Sequence, residues 1–367
     1  MTTRTDAELT KLLLVACDQS YFQYGALPTS QALAALDDKG TDAAAEYNDP
    51  RIYSTAPAYA VNSTYKVVTT IERPEIGAKA VVYLDDNANL IVAFGGTDGV
   101  DFQDWVSNTQ NVGWNQWEAL SDPARGKLFQ EIQKIVDTNP ILAAKGGLQG
   151  VHFTGQSLGG ALAQYAAYEY VAGQKKAASD QGKVYDPSNV SLTTFNGLGA
   201  VWGLQEHIKD EAGNPAYDPA MLTGIGQAAH YAVDNDLVYR LGGGHIGTGG
   251  QVVLFDWKYL SGVHAGNPLD IADAHRIETA FYTHVRTGAE FAGGTPISEA
   301  ATLIQAQDAV KWAGAFGNLF NNETVTSGEA FFRMLAGLGL GSIAASSSSI
   351  NAVAMTDSAD SNYREAA

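Results

Sequence analysis

The sequence predicts an α/β fold, a mostly parallel central sheet with helices on both faces. Three observations carry that expectation. Strand-like and helix-like runs alternate through the middle of the chain, which builds a parallel sheet through right-handed crossovers. The 367 residues are 45% hydrophobic and 17% charged, a globular balance with enough chain for one large core or two small ones. A glycine-flanked serine stands between a strand-like run and a helix-like run, at the strand end where sites of such sheets lie.

Thr5 and Glu8 form a capping-box pattern ahead of Leu9, Leu12 and Leu13, so a helix is expected from about residue 6. Residues 25–62 are rich in Ala, Asp and Pro and read as loops and short helices. Residues 79–84 and 89–94 are β-rich and flank Asp85-Asp86-Asn87, a hairpin turn. A helix is expected over 123–144, with Leu128, Ile132, Ile135 and Val136 on one face. Strands follow at 149–155, 190–196, 230–233 and 251–255, and helices at 161–174 and 270–285. The chain contains no internal repeat. Residues 1–300 read as one domain. Residues 301–367 shift toward Gly, Ala and Ser and read as an appendage, packed on the domain or serving as an export tail.

A formal charge of −18 repels phosphate backbones and gives no purchase on anionic lipid. Nucleic acid is thereby excluded as a partner, and any lipid contact is expected to be apolar and local. One cysteine, Cys17, allows neither an intrachain disulfide nor a cysteine-rich zinc site, and its apolar setting makes it a helix-core residue. No metal-ligand spacing is evident. Arg4, Asp6 and Glu8 break up the N-terminus, and residues 12–17 are too short for a signal h-region. No apolar run reads as a transmembrane helix. Residues 334–356 are uncharged but diluted by glycines and the serines at 346–349.

The chemistry concentrates at Gly155-Gln156-Ser157-Leu158-Gly159, a G-x-S-x-G pattern extended by Gly160. It follows Val151-His152-Phe153-Thr154 and precedes Ala161-Leu162-Ala163-Gln164-Tyr165, the strand–turn–helix context of a nucleophile elbow. Glycines on either side of the serine let strand and helix approach closely, and the tight turn strains the serine backbone. The hydroxyl then stands above the sheet. The Leu158 N–H and the helix N-terminus face the space where an oxyanion forms. These features predict the α/β-hydrolase fold with Ser157 as nucleophile.

Residues 151–163, VHFTGQSLGGALA, resemble the elbow of the class 3, fungal-type lipases and their bacterial relatives. Three further blocks are similar to that family in order. Ile91-Val92-Ala93-Phe94-Gly95-Gly96-Thr97, with Asp104-Trp105 after it, resembles the oxyanion strand, although Gly95 stands where the family has Arg. Thr194-Phe195-Asn196-Gly197-Leu198-Gly199 resembles the strand after the elbow helix, and Asn235-Asp236-Leu237-Val238 the segment bearing the acid. The resemblance spans roughly residues 60–285.

A serine hydroxyl needs an adjacent base, and in this fold the order is Ser, Asp or Glu, then His. Asp234 and Asp236 both follow the run at 230–233, and the family pattern selects Asp236. His245, His264, His275 and His284 come later in the chain. The resemblance selects His275, which opens a helical run as the family's catalytic histidine does, with His264 second. His245 resembles a residue of the loop after the acid, His284 reads as a helix-face residue, and His152 as a packed core histidine. Backbone N–H groups of Thr97 and Leu158 are the implied oxyanion donors. No cofactor is needed. The implied activity is a carboxylester hydrolase, a lipase acting on acylglycerols. A phospholipase A1 and a catalytically inactive binding protein are the alternatives. A peptidase or acyltransferase is permitted by the elbow but not favoured by the four blocks. Phe102, Trp105, Trp114 and Trp117 are read equally as a lipid-facing lid or acyl pocket and as core packing. The resemblance implies secretion, here without a cleavable signal, with cytoplasmic residence as the alternative.

Overall fold

The computed structural model of the chain describes residues 6–20, 65–96, 113–234, 236, 238–255, 281 and 294–301. Among these, an eight-stranded sheet forms the centre, its strands in sequential order. The strands are β1 (Tyr65–Arg73), β2 (Ala78–Asp85), β3 (Asn89–Gly95), β4 (Gly150–Gln156), β5 (Val190–Phe195), β6 (Gln227–Val233), β7 (Gln251–Phe255) and β8 (Thr295–Ser298). Strands β3 to β7 pair in parallel, while β1, β2 and β8 join antiparallel at the edges. The α/β expectation therefore holds.

Helices cover both faces. The N-terminal α1 (Asp6–Gln19) packs on β3 and β4 from one side. Its Leu13 carbonyl accepts from Thr154 Oγ1 at 3.4 Å, and its Ala16 carbonyl from the Tyr83 hydroxyl at 3.4 Å. Cys17 is fully buried there, as its apolar setting predicts. On the other side lie α2 (Trp114–Ser121), α3 (Leu128–Thr138), α4 (Pro140–Ala144), α5 (Leu158–Asp180) and α6 (Val201–His207). Val92, Phe94, Phe153 and Leu192 of the sheet pack there in one core with Leu162, Ala163 and Ala166 of α5. Burial on both faces explains why β2 and β3 read as near-continuous apolar runs rather than alternating ones.

The structure departs from the expected 123–144 helix in two respects: residues 123–127 form a turn, and the helical part is broken once. Residues 128–144 are two helices, α3 and α4, divided at Asn139-Pro140. Proline has no N–H to continue α3 but fits the first position of a new helix, and Asn139 caps it by accepting the Ile141 N–H at 2.9 Å. The expected helix at 270–285, apart from residue 281, and the appendage at 302–367 lie outside the described residues. Among the described residues no helix is long and apolar enough to cross a membrane.

Candidate active site

The sheet order places the C-terminal ends of β3 to β6 side by side, and of the sequence-predicted residues Ser157 follows β4 and Asp236 follows β6. Ser157 sits between β4 and α5, 8% exposed. Its backbone has φ 56° and ψ −129°, a conformation that L-residues avoid. Such strain persists only when the surroundings impose it, and the neighbouring glycines do. A Cβ on Gly155 would lie 2.0 Å from the Gly159 carbonyl oxygen. One on Gly159 would lie 2.2 Å from the Phe94 carbonyl oxygen, and one on Gly160 2.5 Å from the Gly197 Cα. Strand β4, helix α5, the end of β3 and the turn after β5 thus meet backbone to backbone around the serine. The Ser157 carbonyl accepts from the Gly160 N–H at 3.0 Å and the Leu198 N–H at 2.8 Å.

Leu158 is the first residue of α5, and its side chain is buried. The close approach of Gly159 to Phe94 and Gly95 brings the Gly95-Gly96 exit of β3 against the start of α5. Thr97 itself lies outside the described residues. At Gly95 a Cβ would stand 3.2 Å from the carbonyl oxygen of Ser20, just past the end of α1, so this glycine admits the close approach of α1 to the end of β3.

Asp236 follows β6 and is 1% exposed. Its Oδ1 accepts the Val238 N–H at 3.0 Å, and its own N–H donates to the Val233 carbonyl at 3.0 Å. Asp234 is half-buried and engaged through its backbone, its N–H bonding the Phe255 carbonyl and its carbonyl accepting from Arg240. Of the histidines after Asp236, His264, His275 and His284 lie outside the described residues.

His245 is described and buried, with both ring nitrogens occupied. Nδ1 pairs with Glu299 Oε1, and Nε2 faces the Gly197 carbonyl at 2.9 Å. The His245 backbone N–H donates to Glu299 Oε2 at 2.9 Å. Neither ring nitrogen is turned to the Ser157 hydroxyl. Against it, at 4.4 Å between ring centroids, lies His230. Its Nε2 donates to the Ile246 carbonyl at 2.8 Å, and its Nδ1 accepts from Thr194 Oγ1 at 2.8 Å, an assignment set by these partners. Gln164 completes the network. Its Nε2 bridges the Gly160 and Leu198 carbonyls at 3.0 and 2.9 Å, and its Oε1 accepts the Ile246 N–H at 3.0 Å. Sequence reasoning missed this buried polar layer. Its legible signals were one amide inside the alanine-rich start of α5 and one imidazole inside β6. Glu299 stands 54 residues from His245 and gives no local sign.

Burial first, and then the charge of His245, hold His230 down at about 3 against an ordinary 6.5. Glu299 is pulled upward by burial, but its bonds to His245 and that ring's charge outweigh this, leaving it below the carboxylate range. The signs agree. Between pH 6.5 and 3 the unfolded chain binds a proton at residue 230 that the fold refuses, so stability falls with pH. Glu299 likewise gives up its contribution as pH falls through its lowered value. Thermal melts are therefore expected to drop steadily from pH 7 to pH 4, with up to about 5 kcal/mol from His230 over the full window. A flat melting curve across that range contradicts the assignment.

The aromatic residues divide. Trp117 is core: fully buried, edge-on to Phe94, its Nε1 donating to Glu169 at 2.8 Å. Trp114 is half-buried and stacks on His207 at 4.6 Å. Phe102 and Trp105 lie outside the described residues. An open cleft of about 510 Å³ is lined by Val201, Gln205, Tyr217, His245 and the glycines of 247–250, not by Ser157. Among the described residues no cluster of His, Cys, Asp or Glu has the makings of a metal site.

A mostly parallel sheet with a strained serine between a central strand and its following helix is the α/β-hydrolase arrangement. Solved structures of fungal lipases are its structural neighbours. They include lipase II from Rhizopus niveus (16% identity, 62% of this chain and 82% of that one, TM-score 0.35). The triacylglyceride lipase of Rhizomucor miehei is another (14% identity, 68% and 81%, TM-score 0.38). A mutant form of MDLA from Penicillium cyclopium matches similarly (16% identity, 69% and 81%, TM-score 0.40). No family model matches the chain, and no curated protein matches it in sequence.

Proposed function

We propose that this chain is a serine carboxylester hydrolase, a lipase cleaving acylglycerol esters through an acyl-enzyme. The observation that carries the reading is the backbone of Ser157, held at φ 56° and ψ −129° where strand meets helix. In this reading His275 takes the proton of Ser157 as its oxygen attacks the ester carbonyl, then delivers it to the departing alcohol. Asp236, buried beside the C-terminal end of β6, orients the imidazole and offsets its charge. The backbone N–H groups of Thr97 and Leu158 receive the tetrahedral oxyanion, each contributing roughly 3 kcal/mol to the transition state. Water, deprotonated by the same histidine, then releases the acid and restores Ser157. Residues 301–367 are assigned in this reading to an appendage of the 1–300 domain.

A p-nitrophenyl ester series from acetate to palmitate, with emulsified triacylglycerol and phosphatidylcholine alongside, tests the proposal. Hydrolysis of long-chain esters and triacylglycerol is the expected result. Activity confined to short chains removes the lipase label and leaves an esterase. Release of fatty acid from phosphatidylcholine alone assigns a phospholipase. No hydrolysis of any ester overturns the enzymatic reading in favour of a binding protein.

A further inference from the structure

We propose that His245, braced by Glu299, is a positioning residue for the nucleophile, acting through the peptide unit between Gly197 and Leu198; this rests on Ser157 being the nucleophile. That peptide is held at both ends. Its C=O accepts from His245 Nε2 at 2.9 Å, and its N–H donates to the Ser157 carbonyl at 2.8 Å. A tilt of this one plane therefore moves the carbonyl of the strained serine. The contact has no slack, because Gly160 and Gly197 meet backbone to backbone alongside it.

The protonation of the ring follows from its partners. Carboxylate and carbonyl oxygens accept only, so each ring nitrogen of His245 carries a proton and the ring pairs as a cation with Glu299. His230, packed on that cation, has one donor bond and one acceptor bond and stays neutral. A buried ion pair is a poor source of stability, since desolvation offsets its attraction. What this pair does supply is a donor fixed in direction at the Gly197 carbonyl. The orientation matters because a small misplacement of a reacting group costs up to about 100-fold in rate.

Two amide substitutions separate positioning from packing. In His245→Gln the amide nitrogen falls near the place of Nε2 and keeps the bond to Gly197, while the Glu299 pair is lost. In His245→Asn the amide falls near Nδ1, keeping Glu299 and losing Gly197. Both remove the imidazole and both are expected to lower the melting temperature. His245→Asn is expected to lower kcat, and the rate of Ser157 labelling by a fluorophosphonate, about tenfold or more with KM little changed. His245→Gln is expected to keep both within about threefold of the parent. Equal rates for the two variants, whether high or low, overturn the proposal, as do losses that follow melting temperature. A parent protein that the fluorophosphonate leaves unlabelled overturns the nucleophile assignment instead, and this proposal with it.

Discussion

Ser157→Ala is expected to reduce ester hydrolysis by about 10⁴-fold or more while leaving the fold intact. In the proposed mechanism the alcohol is the attacking group, and no neighbouring side chain replaces an oxygen presented at that bend. Ser157→Gly is expected to lose the same activity yet to melt at a higher temperature than the parent. Glycine adopts φ 56° without the penalty that serine meets there, of order 1–3 kcal/mol, partly offset by roughly 0.5–1 kcal/mol of added chain entropy in the unfolded state. Loss of function with a gain in stability marks strain held for a purpose. A Gly variant that melts lower than the parent counts against stored strain, and an active Ala variant counts against Ser157 itself. Hydrolysis assays and thermal melts on the two variants read both outcomes.

Gly155→Ala carries the largest expected effect on stability. Its new Cβ would stand 2.0 Å from the Gly159 oxygen and 2.3 Å from the carbonyl carbon, both backbone atoms. Relief requires lifting the start of α5 off β4, which breaks the core contacts of Leu162, Ala163 and Ala166 as well. A loss of roughly 4 kcal/mol or more is expected, enough to prevent folding of an ordinary domain at 37 °C. Gly173→Ala is the internal control. It lies on the exposed face of the same helix with nothing within 4 Å of the added carbon, and should gain up to about 1 kcal/mol from helix propensity. Urea unfolding of the pair separates close backbone approach from a general intolerance of α5 to substitution. Comparable midpoints for Gly155→Ala and the parent contradict the packing described around the elbow.

The elbow was legible because everything that makes it is local. Strand, glycines, serine and helix occupy residues 150–163, and the structure joins them as the pattern implies. The apolar runs that became β2 and β3 were equally plain, since burial on both faces leaves them mostly apolar, with Ala, Val, Leu, Ile, Tyr and Phe. Strand β1 carries no plain signal: its Lys66, Thr69, Thr70, Glu72 and Arg73 dilute the apolar pattern of an edge. Strand β8 is four residues long and includes Pro296, so neither length nor composition announces it. The split between α3 and α4 was written in Asn139-Pro140 but yields to the apolar spacing when the stretch is read as one period. The layer behind the elbow was illegible for a topological reason. His245 lies in the segment between β6 and β7 and Glu299 in the short helix after β8, and only the pairing of β8 with β7 brings them together. Asp234 and Asp236 have the same local pattern, and it is burial that distinguishes them: the first half-buried, the second enclosed.

The central claim is that one strained alcohol does the chemistry, and its most direct test is covalent. Full-length protein treated with a fluorophosphonate, digested and mapped by mass spectrometry should carry a single adduct on Ser157, absent after His275→Ala. An unmodified serine at 157, or an adduct on another residue, contradicts the account.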